Sequence, residues 1–368
     1  MNKKILTVFA LSLTMVLFSS CRLKKELSLT YVPEEQGITF EKITDELADN
    51  IIRPSVSTNS FGDVNDWSFL NTYDLSKDGK NIAFISSKNN NWNIYVKSAE
   101  IRGASLQRTY NTIVKSLAFS PDGENICYSE TGADGFSYIK IANAKQGSIV
   151  QQISPSYVND LNPRYSTDGK KLFFQRGDGG EYTIWSYDFK TSSFSNHCFG
   201  RNPLPINDEE FLCTRPNGSG HYEIWRINYV KGTETILVSQ SDRSFTTPSV
   251  SPDGNWILCV STTKPSKRLF ARNNLDLYLV RADGVGSPTQ LTFYKGNDFV
   301  PMWSPDGKSI YFISQRGSRG GKYYNIWRMN TPSNLNVTAP ANNSNTNQEK
   351  PKSDNNSNTP SKLPKKVK

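Results

Sequence analysis

Short apolar runs alternate with polar, glycine-bearing segments along most of the chain. Between about residue 70 and residue 330 these runs are rich in β-branched and aromatic residues, as at 310–313, which reads Ile-Tyr-Phe-Ile. Runs of this length and composition, bounded by Gly, Pro, Asn and Asp, are typical of β-strands. The pattern therefore predicts an all-β fold made of many short strands.

The polar segments repeat a four-residue turn sequence, Ser-x-Asp-Gly. Its copies stand at 76–79, 120–123, 166–169, 251–254 and 304–307, with a degenerate copy at 207–210. The second residue is Pro in the copies at 120–123, 251–254 and 304–307, where it fixes φ. The Asp side chain can bond to the backbone two residues on, and Gly supplies the positive φ that ends the turn. The glycines at 79, 123 and 169 lie 44 and 46 residues apart. We therefore predict a repeating unit of about 45 residues with a hairpin in each copy.

Each unit also predicts a third strand, with sequences such as Glu-Ile-Trp-Arg at 223–226, and a weaker fourth strand. Four antiparallel strands in a unit of about 45 residues are typical of a β-propeller blade. Six units predict a six-bladed β-propeller with four antiparallel strands per blade. The last unit lacks a fourth strand of its own, and residues 40–44 resemble the missing one. We therefore predict that the N-terminal strand closes the ring.

The pattern divides the chain into four segments. Residues 1–21 combine Lys3 and Lys4 with an apolar stretch and then Ser-Ser-Cys, which is typical of a lipoprotein signal peptide with the lipid on Cys21. We expect a tether at 22–36, the propeller at 37–330 and a disordered tail rich in Asn, Ser, Pro and Lys at 331–368. An ordinary signal peptide cut near the same point is the alternative.

The formal net charge of +9 belongs to the ends of the chain. Residues 26–330 contain 32 basic and 32 acidic residues, so the predicted propeller is formally neutral. Nucleic-acid binding requires a strong local excess of Lys and Arg. We therefore expect no nucleic-acid partner, and we expect the lipid on Cys21 to be the contact with the membrane.

Four cysteines follow Cys21. Cys127, Cys213 and Cys259 occupy the same place in the second strand of their units. Equivalent positions in neighbouring blades are about 10 Å apart, beyond the reach of a disulfide. We interpret these three as buried free thiols, with a bridge between Cys198 and Cys213 as the alternative.

The residues that would support catalysis are few. The chain contains two histidines, His197 and His221, too few for a three-histidine zinc or manganese site. They are predicted near a fourth strand and after a hairpin tip, so we do not expect them to converge. No Gly-x-Ser-x-Gly sequence occurs, and no spacing of carboxylates demands a calcium site. The sequence therefore predicts a protein that is not an enzyme and uses no metal or cofactor.

Two motifs carry a family resemblance. The sequences Pro-x-Trp-Ser-Pro-Asp-Gly at 301–307 and Asn-Ile-Trp at 325–327 resemble the TolB-type propeller repeat, also called the PD40 or WD40-like β-propeller repeat. The resemblance implies repeats that build blades rather than an active site. It also implies an exported protein that acts in the cell envelope through protein contacts, as in the Tol-Pal system.

In a propeller, the loops that enter the innermost strands share one face with the hairpins between the second and third strands. The sequence predicts polar entering loops on this face, ringed by hairpins that carry arginine. Because the planar guanidinium suits carboxylates, we predict a docking surface for a protein with acidic groups; solvated tips without a partner are the alternative. The candidate residues are Asn159, Asp160, Asn162, Arg176, Arg215, Arg268, Asn297, Asp298, Arg316 and Arg319.

These observations predict a non-enzymatic envelope lipoprotein whose propeller is a protein–protein interaction scaffold, at the outer membrane or on the periplasmic face. Two alternatives stay open. One is a binder of a small molecule, a peptide or a cell-wall glycan at the channel mouth, and the other is a hydrolase-like or lactonase-like enzyme.

Overall fold

The structure is a computed structural model. It describes residues 37–45, 49–51, 70–89, 91–100, 103–178, 181–263, 274–318 and 323–337. The expected signal peptide with Cys21, the tether at 22–36 and the tail from residue 338 onward lie outside these described residues. In the described part the regular structure is almost entirely β, as the sequence predicts, with one short 3₁₀ helix at Ser333–Leu335.

Twenty-four strands follow one another along the described chain. The first half comprises β1 (Phe40–Lys42), β2 (Tyr73–Leu75), β3 (Asn81–Ser86), β4 (Asn93–Ser98), β5 (Leu106–Gln107), β6 (Val114–Phe119), β7 (Asn125–Thr131), β8 (Ser137–Asn143), β9 (Ile149–Gln152), β10 (Asn159–Tyr165), β11 (Lys171–Asp178) and β12 (Glu181–Asp188). The second half comprises β13 (Ser193–Phe199), β14 (Arg201–Pro205), β15 (Glu210–Pro216), β16 (Tyr222–Asn228), β17 (Thr233–Val238), β18 (Phe245–Val250), β19 (Trp256–Thr263), β20 (Asn274–Arg281), β21 (Thr289–Gln290), β22 (Asp298–Trp303), β23 (Ser309–Ser314) and β24 (Asn325–Asn330).

These strands pair in antiparallel groups of four, which we number as sheets 1 to 6. Sheet 1 is β2–β5, sheet 2 is β6–β9, sheet 3 is β10–β13, sheet 4 is β14–β17 and sheet 5 is β18–β21. Sheets 2 and 3 are joined by a single parallel pair, Asn159 with Ser137. Sheet 6 has the order β1-β24-β23-β22, so its fourth strand comes from the N-terminal side of the chain.

The pairing of β1 with β24 is supported by side chains. Phe40 lies opposite Met329, and Glu41 lies opposite Arg328 and forms an ion pair with it. Beyond the strand, the backbone N–H of Ile326 donates to Thr44 Oγ1 at 2.9 Å. On the other side of sheet 6, Tyr73 of sheet 1 donates its hydroxyl to the carbonyl of Val300 at 2.7 Å.

The Ser-x-Asp-Gly sequences form the hairpins between the first and second strands. In the first copy, Ser76 Oγ donates to Asp78 Oδ1 at 2.6 Å, and the Lys80 N–H donates to the same oxygen at 3.0 Å. The hydrogen bond from Ser76 is the main reason that the pKa of Asp78 is lowered. Gly79 closes the turn with a φ of 71°. The degenerate copy is also a hairpin, in which Asn207 Oδ1 accepts from the Glu209 N–H at 2.9 Å. These aspartates are therefore occupied by their own turns.

The innermost strands share a second irregularity. In sheets 3 to 6 each contains a β-bulge, with a residue of positive φ directly before a proline. The residues are Asn162, Asn202, Thr247 and Val300, with φ between 46° and 56°. Asn tolerates this region, whereas a β-branched residue rarely adopts it. The bulges of sheets 4 to 6 place Pro203, Pro248 and Pro301 in the wall of the cavity described below.

The core lies between the sheets. Two tryptophans of the repeat, Trp303 and Trp327, are buried there, and Trp303 Nε1 donates to the Ser249 carbonyl of sheet 5 at 3.2 Å. Cys127, Cys213 and Cys259 are buried free thiols, which confirms their interpretation.

Candidate functional site

One face of the sheets gathers the segments that the sequence singled out. Because neighbouring strands are antiparallel, the hairpins between second and third strands project from the same end as the loops that enter the next innermost strand. We call this end the mouth face. It includes hairpin residues 87–89, 91–92 and 132–136 and loop residues 108–113 and 153–158.

Arg316, on the hairpin side of sheet 6, is not exposed on this face. Its side chain has no exposed surface, and Nη2 lies 2.6 Å from Oδ2 of Asp298, which is equally buried. The guanidinium also stacks between aromatic rings, 4.2 Å from the centroid of Phe40 and 4.8 Å from that of Tyr294. Burial raises the pKa of Asp298, and the charge of Arg316 opposes this shift. The pair is therefore part of the packing of sheet 6.

Arg176 repeats this arrangement in sheet 3. Its Nε and Nη2 donate to the two carboxylate oxygens of Asp160 at 2.7 and 2.9 Å. Asp160 has no exposed surface and also accepts from Ser154 Oγ at 2.7 Å. The guanidinium lies 4.6 Å from the ring centroid of Trp185. Because this bidentate pair uses Nε and Nη2 of Arg176 and both oxygens of Asp160, few of their hydrogen-bonding groups are left for a ligand.

Arg215 of sheet 4 is engaged in a similar way with a more exposed partner. It forms two hydrogen bonds with Glu234, at 2.6 and 2.9 Å, and its Nε donates to the carbonyl of Phe199 at 2.8 Å. Its guanidinium lies 4.7 Å from the ring centroid of Trp225. The carboxylate of Glu234 is 41% exposed, unlike those of Asp160 and Asp298.

Arg176, Arg215 and Arg316, which the sequence predicts to bind acidic groups of a partner, are instead paired with carboxylates of this chain. The reason is that a carboxylate from the innermost or the fourth strand of the same sheet lies within contact of each guanidinium. Arg268 and Arg319 lie outside the described residues.

The predicted polar residues of the entering loops mostly brace neighbouring sheets. Asn159 Oδ1 accepts from the Ser137 N–H at 3.2 Å, and Asn297 Oδ1 accepts from the Leu275 N–H at 3.0 Å. In both cases the donor belongs to the third strand of the preceding sheet. Ser244 does the same through its hydroxyl, with the Tyr222 N–H at 3.0 Å.

Asn162 belongs to a chain of amides around the centre of the molecule. Its Oδ1 accepts from the Asn71 N–H at 3.0 Å, and its Nδ2 donates to Asn202 Oδ1 at 2.8 Å. Asn202 continues the chain by donating to Thr246 Oγ1 at 3.1 Å. These bonds connect sheets 1, 3, 4 and 5, so Asn162 has a structural role at the sheet junction.

A cavity of about 180 Å³ lies beside this chain of amides. Its wall includes three of the bulge prolines, Pro203, Pro248 and Pro301, together with Asp74 and Arg164. Arg164 Nη1 is 3.4 Å from Asp74 Oδ1, and the Phe119 N–H donates to Asp74 Oδ2 at 2.8 Å. Burial raises the pKa of Asp74, and Arg164 acts in the opposite direction. The sequence did not single out this pair, although Arg164 follows the Asn-Pro dipeptide of its bulge.

Exposed apolar side chains are the feature of the mouth face that sequence reasoning missed. Trp92, Tyr110, Ile113 and Tyr157 are 37%, 67%, 45% and 74% exposed. We call these four residues, three aromatic and one aliphatic, the aromatic patch. They come from the β3–β4 hairpin and from the loops before β6 and β10, outside the repeated strand positions where tryptophan packs.

Backbone and ring contacts connect Trp92, Ile113 and Tyr157 of the aromatic patch along sheets 1 to 3. Trp92 and Ile113 form an isolated β-bridge, and the carbonyl of Ile113 accepts from the Thr131 N–H at 3.0 Å. The hairpin that begins at Thr131 contains Phe136, whose ring meets Tyr157 edge-on with centroids 5.8 Å apart. Lys115 Nζ lies 4.8 Å from the centroid of Trp92.

The two histidines lie in different surroundings. His197 is in β13, where its Nε2 and Ser186 Oγ are 2.8 Å apart and its ring stacks on Phe173. Burial lowers the pKa of His197 to about 4. His221 stands directly before β16. Within the residues described, no three His, Cys, Asp or Glu side chains cluster as metal ligands, and no described helix has the length and apolar character needed to cross a membrane.

Comparison with known proteins gives the same fold. The Tol-Pal system protein TolB of Francisella tularensis subsp. mediasiatica is 29% identical over 96 residues, which is 26% of this chain and 20% of that protein. The chain thus spans about a fifth of the length of the curated TolB relatives that it matches.

Two solved structures show likeness of fold at low sequence identity. TolB from Acinetobacter baumannii superposes with a TM-score of 0.52 at 16% identity, over 72% of this chain and 66% of that one. An oligogalacturonate lyase from Vibrio parahaemolyticus superposes with a TM-score of 0.54 at 13% identity, over 83% and 97%. Residues 65–274, more than half of the chain, match the PD40 family, the TolB beta propeller domain. The chain belongs to this TolB β-propeller family.

Proposed function

We propose that this chain is a non-enzymatic lipoprotein of the bacterial cell envelope, anchored through a lipid on Cys21, whose propeller binds a protein partner on the mouth face. The aromatic patch is the observation that carries the binding part of the proposal. Large apolar side chains normally avoid water, and interface centres are enriched in Trp and Tyr. An apolar protein segment is therefore the partner that this face fits.

The neighbouring charges are consistent with a protein surface rather than a polyanion. Lys115 lies over the ring of Trp92, and Asp134 accepts from the hydroxyl of Tyr138 at 2.5 Å beside Tyr157. One cation and one anion flank the apolar centre, as in the polar rim of a protein interface. A nucleic-acid partner would need a basic surface, which these residues do not form.

The second candidate is a small ligand in the central cavity, favoured by the Asp74–Arg164 pair. Its volume of about 180 Å³ argues against a sugar or a peptide, because pockets for ligands of that size measure about 300–1,000 Å³. The two charges also neutralise each other at 3.4 Å. The mouth face is therefore the stronger candidate.

An enzyme is the third candidate, since an oligogalacturonate lyase shares the fold. Sequence identity of 13% supports the shared fold alone. Catalytic propellers need groups that converge on one substrate, and the titratable pair in the central cavity is Asp74 with Arg164. These residues form an ion pair and offer no second carboxylate for acid–base work.

The envelope location is supported by the relatives and by the start of the sequence. The curated TolB relatives are named as proteins of the Tol-Pal system. Cys21 follows an apolar stretch and two serines, the pattern of a lipoprotein signal. Arg22 after the cysteine favours the outer membrane over the inner one.

Photo-crosslinking tests the proposal. A photoreactive amino acid at position 110 should capture one envelope protein in cells, and the substitutions Tyr110→Ser with Tyr157→Ser should abolish capture from a third mouth-face position. The matched control is Val230→Ser with Val285→Ser, in hairpins between third and fourth strands on the opposite face, where the side chains are 63% and 65% exposed. Equal capture by both double variants would refute docking on the mouth face.

A further inference from the structure

Two cysteines from different sheets lie side by side. Cys198 is near the end of β13, the outer strand of sheet 3, and Cys213 is in β15, the second strand of sheet 4. Their thiols are within hydrogen-bonding contact, and Cys198 packs against the apolar cluster that contains Cys213. Both are free thiols in this structure.

Gly200 makes room for this contact. A Cβ atom built at Gly200 would lie 3.2 Å from Cys213 Sγ and 3.5 Å from Cys213 Cβ. Gly200 has a φ of 150° and its N–H donates to the Tyr182 carbonyl at 2.9 Å. The turn from sheet 3 into sheet 4 is therefore held by backbone bonds that bring Cys198 next to Cys213 without a side chain between them.

The two thiols differ in access and acidity. Cys198 is partly exposed, whereas Cys213 is fully buried. The hydrogen bond from Cys213 lowers the pKa of Cys198, with a further contribution from Arg215. The same contact and burial raise the pKa of Cys213. An accessible thiol that ionises first, backed by a buried second thiol, is the arrangement in which one cysteine attacks and the other resolves.

We propose that Cys198 and Cys213 are a redox site that forms a disulfide bond by exchange with an organic disulfide. The Cys198 thiolate attacks one sulfur of the oxidant, the S–S bond of the oxidant breaks, and one thiol leaves. Cys213 then gives up its proton and attacks Cys198 Sγ, and the second thiol leaves. Two protein thiols are oxidised, one disulfide is reduced to two thiols, and the protons of the cysteines end on those thiols.

The bond would connect sheets 3 and 4. It closes a loop from residue 198 to residue 213, which includes the turn at Gly200 and the whole of β14. Cross-linking a loop of about 15 residues restricts the unfolded chain. The oxidised protein is expected to unfold about 5 °C above the reduced protein.

Cys127 and Cys259 provide an internal contrast. Both are fully buried, and burial raises the pKa of each thiol. The hydrogen bonds of their sulfurs go to backbone carbonyls, of Ala118 and Tyr278 respectively. They are expected to stay reduced in the folded protein.

The test treats the reduced full-length protein with oxidised glutathione, blocks remaining thiols by alkylation, and maps tryptic peptides by mass spectrometry without reduction. Trypsin cuts after Arg201, between the two cysteines. A disulfide-linked pair of peptides containing Cys198 and Cys213 is the expected result. Recovery of both peptides in alkylated form, from folded protein, would overturn the proposal.

Variants separate the two steps. Cys213→Ser should trap a glutathione adduct on Cys198, because the resolving thiol is absent. Cys198→Ser should leave Cys213 unmodified and abolish the shift in unfolding temperature. Cys127→Ser and Cys259→Ser are the matched controls and should form the bond normally. An adduct on Cys213 in the Cys198→Ser protein, or none on Cys198 in the Cys213→Ser protein, would contradict the assigned order of attack.

Discussion

Two sectors of the mouth face have opposite characters. In sheets 3, 4 and 6, Arg176, Arg215 and Arg316 turn toward carboxylates and rings of the propeller itself. Along sheets 1 to 3, the aromatic patch turns toward solvent. Charged side chains are paired within the fold and apolar side chains are exposed to solvent, which is the reverse of the usual arrangement. The sector whose apolar side chains stay exposed is therefore the one available to an external partner.

The location of each side chain explains the difference. The arginines stand at the ends of second strands, where a carboxylate from the innermost strand or the fourth strand lies within 2.6 to 2.7 Å. The aromatic patch stands in hairpins and entering loops, beyond the last cross-strand pair. A side chain in such a loop has few neighbours of its own, so its apolar surface stays exposed.

The largest effect is expected when a buried arginine is removed. Arg316→Met should lower the free energy of unfolding by about 3–5 kcal/mol, because Asp298 is left buried without its counter-charge. Chemical denaturation followed by tryptophan fluorescence measures the change. The double variant Asp298→Leu with Arg316→Met removes both charges and should recover most of the loss. A single variant within about 1 kcal/mol of the natural protein would place Arg316 outside the packing that we describe.

The aromatic patch should respond in the opposite way. Tyr110→Ser with Tyr157→Ser should weaken binding of the crosslinked partner by about 2 kcal/mol or more, roughly 30-fold, because hot spots of interfaces are mainly Trp, Tyr and Arg. The free energy of unfolding should change by less than about 0.5 kcal/mol per site, since these side chains are exposed. Titration calorimetry with the purified partner and denaturation of the same variant measure the two quantities.

His197 is a partly buried group whose charge depends on pH. Its pKa is lowered from 6.5 to about 4 by burial, so the folded state resists protonation. As the pH falls below 6.5, the unfolded chain gains a proton that the folded chain does not, and stability is lost until about pH 4. Between pH 7 and 4.5 the natural protein should lose about 1–2 kcal/mol more stability than His197→Gln, after discounting for partial exposure. Equal losses in urea titrations would contradict the shift.

The smallest effect is expected at Arg215. Arg215→Gln leaves Glu234 in contact with water, so the cost should be about 1 kcal/mol, mainly the stacking on Trp225 and part of a surface ion pair. A loss as large as that of Arg316→Met would show that exposure of the carboxylate does not separate the two arginines. Differential scanning fluorimetry of both variants side by side makes the comparison.

The fold followed from the sequence to a large extent because turn chemistry repeats. Ser-x-Asp-Gly recurs with its hydrogen bonds intact, and even the degenerate copy at 207–210 is a hairpin. The partner of each arginine side chain could not be predicted from the sequence, because it depends on whether a buried carboxylate from another strand lies within reach. The sequence predicts Asp160 and Asp298 on the same face as the arginines, but their pairing with Arg176 and Arg316 depends on how deeply the side chains are packed.

The aromatic patch was missed for a related reason. Residue type alone does not distinguish Trp92 from Trp303, although Trp92 is exposed and Trp303 is buried. Their position in the repeat distinguishes them: Trp303 ends a β-strand and precedes a Ser-Pro-Asp-Gly turn, whereas Trp92 lies in a hairpin. Aromatic residues outside the repeated strand positions were the signal available in the sequence.

The strand that completes sheet 6 gives the molecule a mechanical weak point. Glu41 and Arg328 are 287 positions apart, so their pairing closes one of the longest loops in the chain and is expected late in folding. Phe40 faces Met329, which puts the start of β1 beside the end of β24. Tension applied at residues 39 and 330 would therefore load the hydrogen bonds between β1 and β24 one after another rather than all at once in shear. The propeller should open at low force between these two strands.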